Sequence, residues 1–341
     1  MRKNHSKILI KFILSATLLS GAAFSLLDDQ QNQIVQASAW SGTQTSTAGS
    51  YYNAISESAT ETTLSSSLNT LVNSGSVSVS YDWSRYEAAD EAEGYSSMVL
   101  QIYARTNIAK TAHVSGSLGW NREHTYPQSK LNNSTAEADN HLIFADDNKT
   151  NSIRGSKSFA EVPEISANQV VDSTGRVTEN YSDSTYFEPL DAAKGEVARA
   201  TFYTNVKYGH AVTGNFDTLE TALRWHIEHP VTNREIYRNN TVHTLQKNRN
   251  PFIDKPEYAC RIWGATNSAT QQLCSASQPV APTSLTMSQS SGSIHVGETL
   301  DLNVTANSGA SNDVTWTSSN TSIATVSSLG VVTGVASGSV T

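Results

Sequence analysis

Between Ser275 and Pro282 the chain reads Ser-Ala-Ser-Gln-Pro-Val-Ala-Pro, and its character changes across that stretch. Proline fixes φ and gives up its N–H, so the segment reads as a linker rather than as the inside of a helix or a sheet. Upstream, apolar residues recur at helical spacing. Downstream, Leu300, Leu302 and Val304 alternate with polar residues, and Val314-Thr-Trp-Thr and Ile323-Ala-Thr-Val follow at short intervals. Short alternating runs separated by Gly and Asn turns indicate a β-sandwich. A chain of 341 residues is long enough for about two domains. The linker at 275–282 divides it into a helix-rich α+β region and an all-β module over 283–341.

The upstream region carries its own punctuation. Arg2, Lys3, Lys7 and Lys11 precede the apolar run Phe12 to Leu27, and Ala37-Ser38-Ala39 follows as a small-x-small site. That pattern indicates a secretory signal peptide over 1–39, too short in its apolar part to serve as a membrane span. No later segment is apolar enough to span a bilayer. Residues 40–50 are rich in Ser, Thr and Gly and read as a flexible mature terminus. Leu64, Leu68, Leu71 and Val72 predict an early helix, and Val77–Tyr81 a strand or extended segment. Val197, Ala198, Thr201 and Phe202 predict a helix over 194–203. Two further helices are predicted over 219–228 and 233–246.

Charge and cysteine content narrow the setting. The whole chain has a formal charge of −8. Removal of 1–39 takes away four basic and two acidic residues and leaves −10, 19 basic against 29 acidic. A simple nucleic-acid binder shows a basic stripe, and this balance counts against one. Arg224, Arg234, Arg238, Lys247, Arg249 and Arg261 make the later part of the α+β region more basic, as solvated helix faces or as a binding surface. Residues 283–341 contain no Lys or Arg. The module is therefore expected to act as a spacer or as a contact with cell wall, matrix or another protein. The two cysteines, Cys260 and Cys274, are expected to pair in an exported protein. On the loop-entropy argument such a bridge contributes roughly 3 kcal/mol.

The chemistry concentrates in residues 120–155. Trp-Asn-Arg-Glu-His-Thr-Tyr-Pro-Gln-Ser-Lys occupies 120–130, with Glu123 and His124 at its centre. A carboxylate beside an imidazole offers a hard metal ligand and a proton acceptor, the two parts that phosphodiester hydrolysis requires. Adjacent side chains on a strand point to opposite faces. At the strand's end both can turn toward one site. His141–Phe144 predicts a second strand, and Asp146 an N-cap. Asn148, Asn151 and Arg154 then share one face of a short helix ending at Gly155. The unit reads strand, long loop, strand, short helix.

These residues resemble the endonuclease I family. Asn-Arg-Glu-His-Thr-Tyr-Pro-Gln-Ser, Glu-Ala-Asp-Asn-His-Leu, Asn151 and Arg154 match its motifs in order. So do residues 187–203, residues 248–258 with Arg261-Ile262-Trp263, and the opening at Tyr51-Tyr52. The resemblance covers roughly 50–265. Val-Gly-Glu-Thr-Leu-Asp-Leu, Val-Thr-Trp-Thr-Ser-Ser-Asn and Gly-Val-Val-Thr-Gly-Val resemble the group 2 bacterial immunoglobulin-like module, which stops short of its last strand at Thr341. The resemblance implies a His-Me finger (ββα-metal) domain over 51–274 and a secreted, non-specific nuclease acting on DNA, RNA or both.

The resemblance also implies roles. His124 is expected to be the general base, at a pKa that imidazole supplies without tuning. Glu123 and Asn151 are the expected metal ligands. Few oxygen donors suit Mg²⁺, which keeps several waters, with Mn²⁺ or Ca²⁺ as alternatives. Arg154 is expected to brace the phosphate or to pair with Asp139 or Glu137. Arg122, Asn148 and Arg249 are the expected substrate contacts, a packed turn being the other reading of Arg249. His141 and Asp139 are expected to hold the fold or to support the site residues from behind. Trp120, Trp225 and Trp263 suit the core better than base stacking. A monomer with a nucleic-acid substrate is expected. The competing class is a non-catalytic surface adhesion protein built on a degenerate nuclease fold.

Overall fold

The computed structural model describes residues 7–11, 39–113, 118–277, 285–306, 316–327 and 330–341. They fall into two units, one of residues up to Ser277 and one of the later residues together with strand β1 (Lys7–Lys11).

The larger unit is helix-rich around small sheets. Helix α1 (Glu61–Asn73) buries Leu64, Leu68 and Val72, the stripe that its sequence periodicity predicts. Helix α2 (Trp83–Ala89) follows, capped by the Asp82 side chain accepting from Ser84 N. The 77–81 stretch forms no strand. Strands β2 (Glu91–Ala92), β3 (Tyr95–Leu100) and β4 (Asn107–Ala109) form a three-stranded antiparallel sheet. Strand β5 (Trp120–His124), short helices α3 (Gln128–Leu131) and α4 (Ser134–Glu137), strand β6 (Ile143–Asp147) and helix α5 (Asn148–Arg154) come next. Strands β7 (Ser158–Phe159), β8 (Gln169–Val171), β9 (Val177–Ser182) and β10 (Tyr186–Glu188) form a sheet in the order β7-β10-β9-β8.

Helix α6 (Asp191–Tyr208) runs through the middle of this unit and is buried over most of its surface. Its sequence shows an apolar face, yet Lys194, Glu196, Arg199 and Thr204 are buried as well. Gly195 lets it approach α7 (Leu219–Glu228): a Cβ there would collide with the His229 carbonyl and the Arg199 guanidinium. Helices α8 (Asn233–Gln246), α9 (Pro251–Asp254), α10 (Glu257–Trp263) and α11 (Ser268–Ser277) complete the unit. Helices α7 and α8 have the predicted boundaries. Helix α11 continues to Ser277, so the linker's first residues are helical, and 278–282 lie outside the described residues. Cys260 and Cys274 are joined, tying α10 to α11.

The structure corrects two expectations. Residues 40–50 are not a loose terminus. The Trp40 ring stacks on Tyr237 at 4.7 Å and its Nε1 donates to Glu91 O at 2.7 Å. Gln44 N donates to Asn233 Oδ1, and Thr47 N to Asn240 Oδ1, each at 3.0 Å. Polar residues that cannot build a core instead satisfy the polar face of α8. The late arginines do not make a basic face either. Arg234 and Arg238 both bind Asp90, Arg234 also binds Glu196, and Arg249 binds Asp254. All three guanidinium groups are buried, because burying a charge requires pairing it.

The smaller unit is β-rich. Strands β11 (Leu285–Met287) and β14 (Val304–Ala306) pair with each other. Strands β13 (Thr299–Asp301), β16 (Val331–Gly334) and β15 (Ala324–Val326) form an antiparallel sheet in that order. Ile294, Leu302, Ala324, Val332 and Val340 form its core. Val314 lies outside the described residues, as does most of the expected leader. The exception at the head of the leader is β1, which pairs with β12 (Ser291–His295) and β17 (Ser339–Val340). Among the described residues, no helix is long and apolar enough to cross a membrane.

Two buried histidines give the larger unit an acid sensitivity. Burial pushes His141 and His226 each down to about 3, against the favourable charge of Asp139 on His141 and with the Arg199 charge adding to the effect on His226. A folded value below the unfolded one means that the unfolded chain binds the extra proton. Stability is then lost as pH falls from about 6.5 toward 3. Urea unfolding at pH 7 and pH 5 should differ by about 2 kcal/mol for each such histidine. His226→Gln should shrink that difference by about one histidine's share; an unchanged pH dependence would contradict this account.

Candidate active site

The site begins with a strand ladder. β5 and β6 pair antiparallel, Trp120 opposite Asp147, Glu123 opposite Phe144 and His124 opposite Ile143. Trp120 anchors one end in the core, fully buried, its Nε1 donating to Ala109 O and Lys110 O. β6 is two residues later than the sequence pattern predicts and passes directly into α5. Asp147, not Asp146, caps the helix, accepting from Lys149 N and Thr150 N at 3.0 Å each. Asp146 is buried and accepts from Tyr103 N at 2.9 Å and from the Thr150 hydroxyl. Gly155, at φ +53°, ends the helix where the sequence places its cap. The short return carries Asn151 and Arg154 back to the end of β5.

Arg154 closes the unit. Its guanidinium is 1% exposed. Nη1 donates to His124 O at 2.8 Å, and Nη2 to Thr125 O at 2.7 Å and Asn215 Oδ1 at 2.9 Å. Asn215 Nδ2 donates to the same Thr125 carbonyl at 2.8 Å and to the Thr201 hydroxyl at 2.7 Å. Beyond its ladder a strand leaves carbonyls without partners, and buried ones need them. Arg154 supplies those partners where the chain turns from strand to loop, so Glu123 and His124 can both reach one cleft. Its ion-pair partner is Glu123 at 3.3 Å rather than the expected Asp139 or Glu137.

Glu123 is 2% exposed. Its Oε1 accepts from the Tyr103 hydroxyl at 2.8 Å. Among the described residues, Oε2 takes no hydrogen bond. Burial pushes the carboxyl up to about 7, although Arg154 and Tyr103 both pull it down. A buried carboxylate with unmet demand for positive charge suits a cation. His124 Nε2 lies 2.9 Å from Glu137 O. A carbonyl only accepts, so this contact places the proton on Nε2 and leaves Nδ1 free to accept. Glu137 ends α4, whose start Asn133 caps by accepting from Thr135 N and Ala136 N. Burial holds the imidazole below its usual value, outweighing the pull of the Glu137 carbonyl, so it is neutral at neutral pH.

Glu123, His124, Asn151 and Arg154 line one open cleft of about 470 Å³, with Tyr81, Arg122, Gln128, Ser129 and Ser156 among its other walls. The Arg122 guanidinium lies 3.5 Å from the Tyr81 ring centre and 3.9 Å from that of Trp83. The Tyr81 ring stacks on His124 at 5.7 Å. Asn151 makes no side-chain hydrogen bond among the described residues, so its amide oxygen is available. Glu123 Oε2 and Asn151 together fit a hard divalent cation that keeps most of its water. Among the described residues, no cluster of three His, Cys, Asp or Glu side chains could hold a metal.

Other expected residues lie elsewhere. Asn148 sits at the opposite end of α5, its N–H donating to Gly119 O, and does not line the cleft. Arg249 is a correction. It is fully buried, its Nε 2.7 Å and Nη2 2.9 Å from Asp254, and it binds Ser46, Thr47 and Asn240 as well, so it cannot meet a substrate. Asp139 and His141 hold the fold as expected; Asp139 accepts from Tyr203, Lys207, Tyr208 and Gln246. Sequence reasoning missed Tyr103, Glu137 and Asn215. Their roles depend on distant partners, and no local pattern marks them.

The chain is similar in sequence to known nucleases. The sequence model of the family described as Endonuclease I matches residues 53–257, and that of the bacterial Ig-like domain (group 2) matches 281–341. An extracellular ribonuclease of Bacillus amyloliquefaciens is 33% identical over 228 residues, 59% of this chain and 74% of that protein. An extracellular ribonuclease of Bacillus subtilis (strain 168) is 32% identical over 235 residues, 62% of this chain and 78% of that protein.

The bonding of Arg154 makes its replacement a test. Arg154→Met would take one donor away from each of the buried Glu123 carboxylate and the carbonyls of His124 and Thr125. Loss of one member of such a set costs about 3–5 kcal/mol. Urea unfolding should read that loss together with a fall in turnover. A variant of native stability with only a raised KM would mean that Arg154 serves the substrate instead.

Proposed function

The chain belongs to the endonuclease I family, and from that premise and the cleft's geometry we propose that it is a secreted, metal-dependent endonuclease. It hydrolyses phosphodiester bonds in RNA, DNA or both, with little sequence preference. One observation carries this reading: a neutral imidazole with a free Nδ1, a carboxylate oxygen and an amide oxygen share one cleft. An adhesion protein on a degenerate fold would have no use for that set.

His124 acts as the general base. Its Nε2–H is committed to Glu137 O, so Nδ1 takes the proton from water as the water oxygen attacks phosphorus. One ester oxygen leaves and acquires a proton from solvent, and His124 returns its own to solvent. Glu123 and Asn151 would hold a divalent cation of the Mg²⁺ type, which when bound supplies positive charge for the phosphate. Tyr103 and Arg154 favour the ionised form of Glu123 against its burial and aim it. Arg154 itself acts as a positioning residue, since its Nη1 and Nη2 groups are taken by main chain, Asn215 and Glu123. Arg122, held flat against two rings, meets a phosphate at the rim. The relatives are extracellular and the sequence carries a leader pattern, which supports export. The Ig-like module has no Lys or Arg to attract a polyanion and serves as a spacer or a contact with another surface.

Removal of the base should collapse turnover without unfolding the protein. His124→Ala should lower kcat by about 10²–10⁴ on plasmid DNA and on RNA. Retention of near wild-type rate on both would refute this mechanism.

The ligands have a separate signature. Activity should vanish in EDTA and return with Mg²⁺ or Mn²⁺. Glu123→Gln and Asn151→Ala should each shift the activating concentration upward, since each removes one of very few protein donors. Unchanged titrations for both variants would exclude them as ligands.

A further inference from the structure

Cations are scarce on this protein, and most of those in the larger unit are consumed in ion pairs. Among the described residues of that unit, Arg85, Arg122, Lys130, Lys149, Lys157, Lys247 and Lys255 are in no ion pair, and three of them, Arg85, Arg122 and Lys247, lie along one stretch of chain. That stretch is residues 76–82, which belong to no helix or strand. Val77 N donates to Gln246 O at 3.0 Å, which places the segment's outer part beside Lys247. Arg85 Nη1 donates to Leu245 O at 3.4 Å, and Arg122 Nη1 to Tyr81 O at 3.1 Å. The inner end is Tyr81, which lines the cleft and stacks on His124.

The segment's own groups are unspent. Among the described residues, the N–H groups of Ser78, Val79, Ser80 and Tyr81 take no protein acceptor. Ser78 and Ser80 are exposed, and so is Tyr81, at 40%. Ser78 and Ser80 thus offer two exposed hydroxyls beside these free N–H groups. The neighbouring carboxylates are occupied: Asp82 caps α2 through Ser84, Glu87 pairs with His113 at 3.0 Å, and Glu137 accepts from Gln128 at 3.1 Å.

We propose that residues 76–81, flanked by Lys247, Arg85 and Arg122, form a track for the polynucleotide strand on one side of the bond being cut. The proposal rests on the nuclease reading above and adds a length preference to it. Val77 to Tyr81 spans about 13 Å when extended, room for about two phosphates outside the cleft. A strand of several nucleotides engages cleft and track together, and a dinucleotide engages only the cleft.

The test uses the full chain and a fluorescein-labelled single-stranded 12-mer, with binding read by anisotropy in EDTA across a KCl series. For Arg85→Gln/Lys247→Asn, the slope of log K against log salt should fall by about 1.4, near 0.7 per lost contact on a single strand. KM for the 12-mer in Mg²⁺ should rise several-fold, with the dinucleotide as the reference that cannot reach the track. Asparagine suits position 247, where φ is +64°. Ser78→Glu adds a repelling charge at an exposed position and should weaken 12-mer binding even if the double variant folds poorly. An unchanged slope and KM in folded variants of both kinds overturns the track and leaves the nuclease reading intact. Failure of the wild-type chain to bind or cut any strand overturns both.

Discussion

The guanidinium of Arg154 holds the end of β5 to the end of α5, and the cleft depends on that bond set. An antiparallel ladder sends neighbouring side chains to opposite faces, which would separate Glu123 from His124. Arg154 binds the carbonyls of His124 and Thr125 where the ladder gives out, and the same group lies 3.3 Å from the Glu123 carboxylate. One buried charge thus fixes a main-chain turn and orients an acid. It is tolerable in the interior because nearly every N–H it carries has an oxygen to meet.

The same economy governs charge across the larger unit. Asp90 binds Arg234 and Arg238 and also accepts from Ala145 N, linking α8 to the middle of β6. Arg199 with Glu235 and Arg249 with Asp254 tie the helices to one another. Buried networks of this kind cost more when half satisfied than an apolar core does, so they specify one arrangement of the helices. They also remove arginines from the surface. Few cations such as Arg122 then remain at the cleft to meet a polyanion.

Much of this was legible in the sequence. The linker separates two units of different character, and helical spacing locates α1, α7 and α8. The Glu123–His124 pair, Asn151 and Arg154 meet in space as the motif order implies. What could not be read depends on partners far along the chain. Nothing near Arg249 announces that Asp254, Asn240 and the 46–47 segment enclose it. Nothing near Glu137 marks its carbonyl as the group that sets the His124 tautomer. The 40–50 segment is polar in composition, which resembles disorder, yet its hydroxyls and amides match the exposed asparagines of α8. The one-residue shift of the α5 cap, from Asp146 to Asp147, arises because buried Asp146 is needed by Tyr103 N and Thr150 instead.

The central claim is that one cleft gathers a cation site and a base on the β5–β6–α5 unit. Diffraction from crystals soaked in Mn²⁺, recorded at the manganese absorption edge, tests it without reference to turnover. The account predicts one anomalous peak about 2.1 Å from Glu123 Oε2 and from the Asn151 side-chain oxygen, with His124 facing it but not bound. A peak ligated by His124 Nδ1, or one located only outside this cleft, would contradict it.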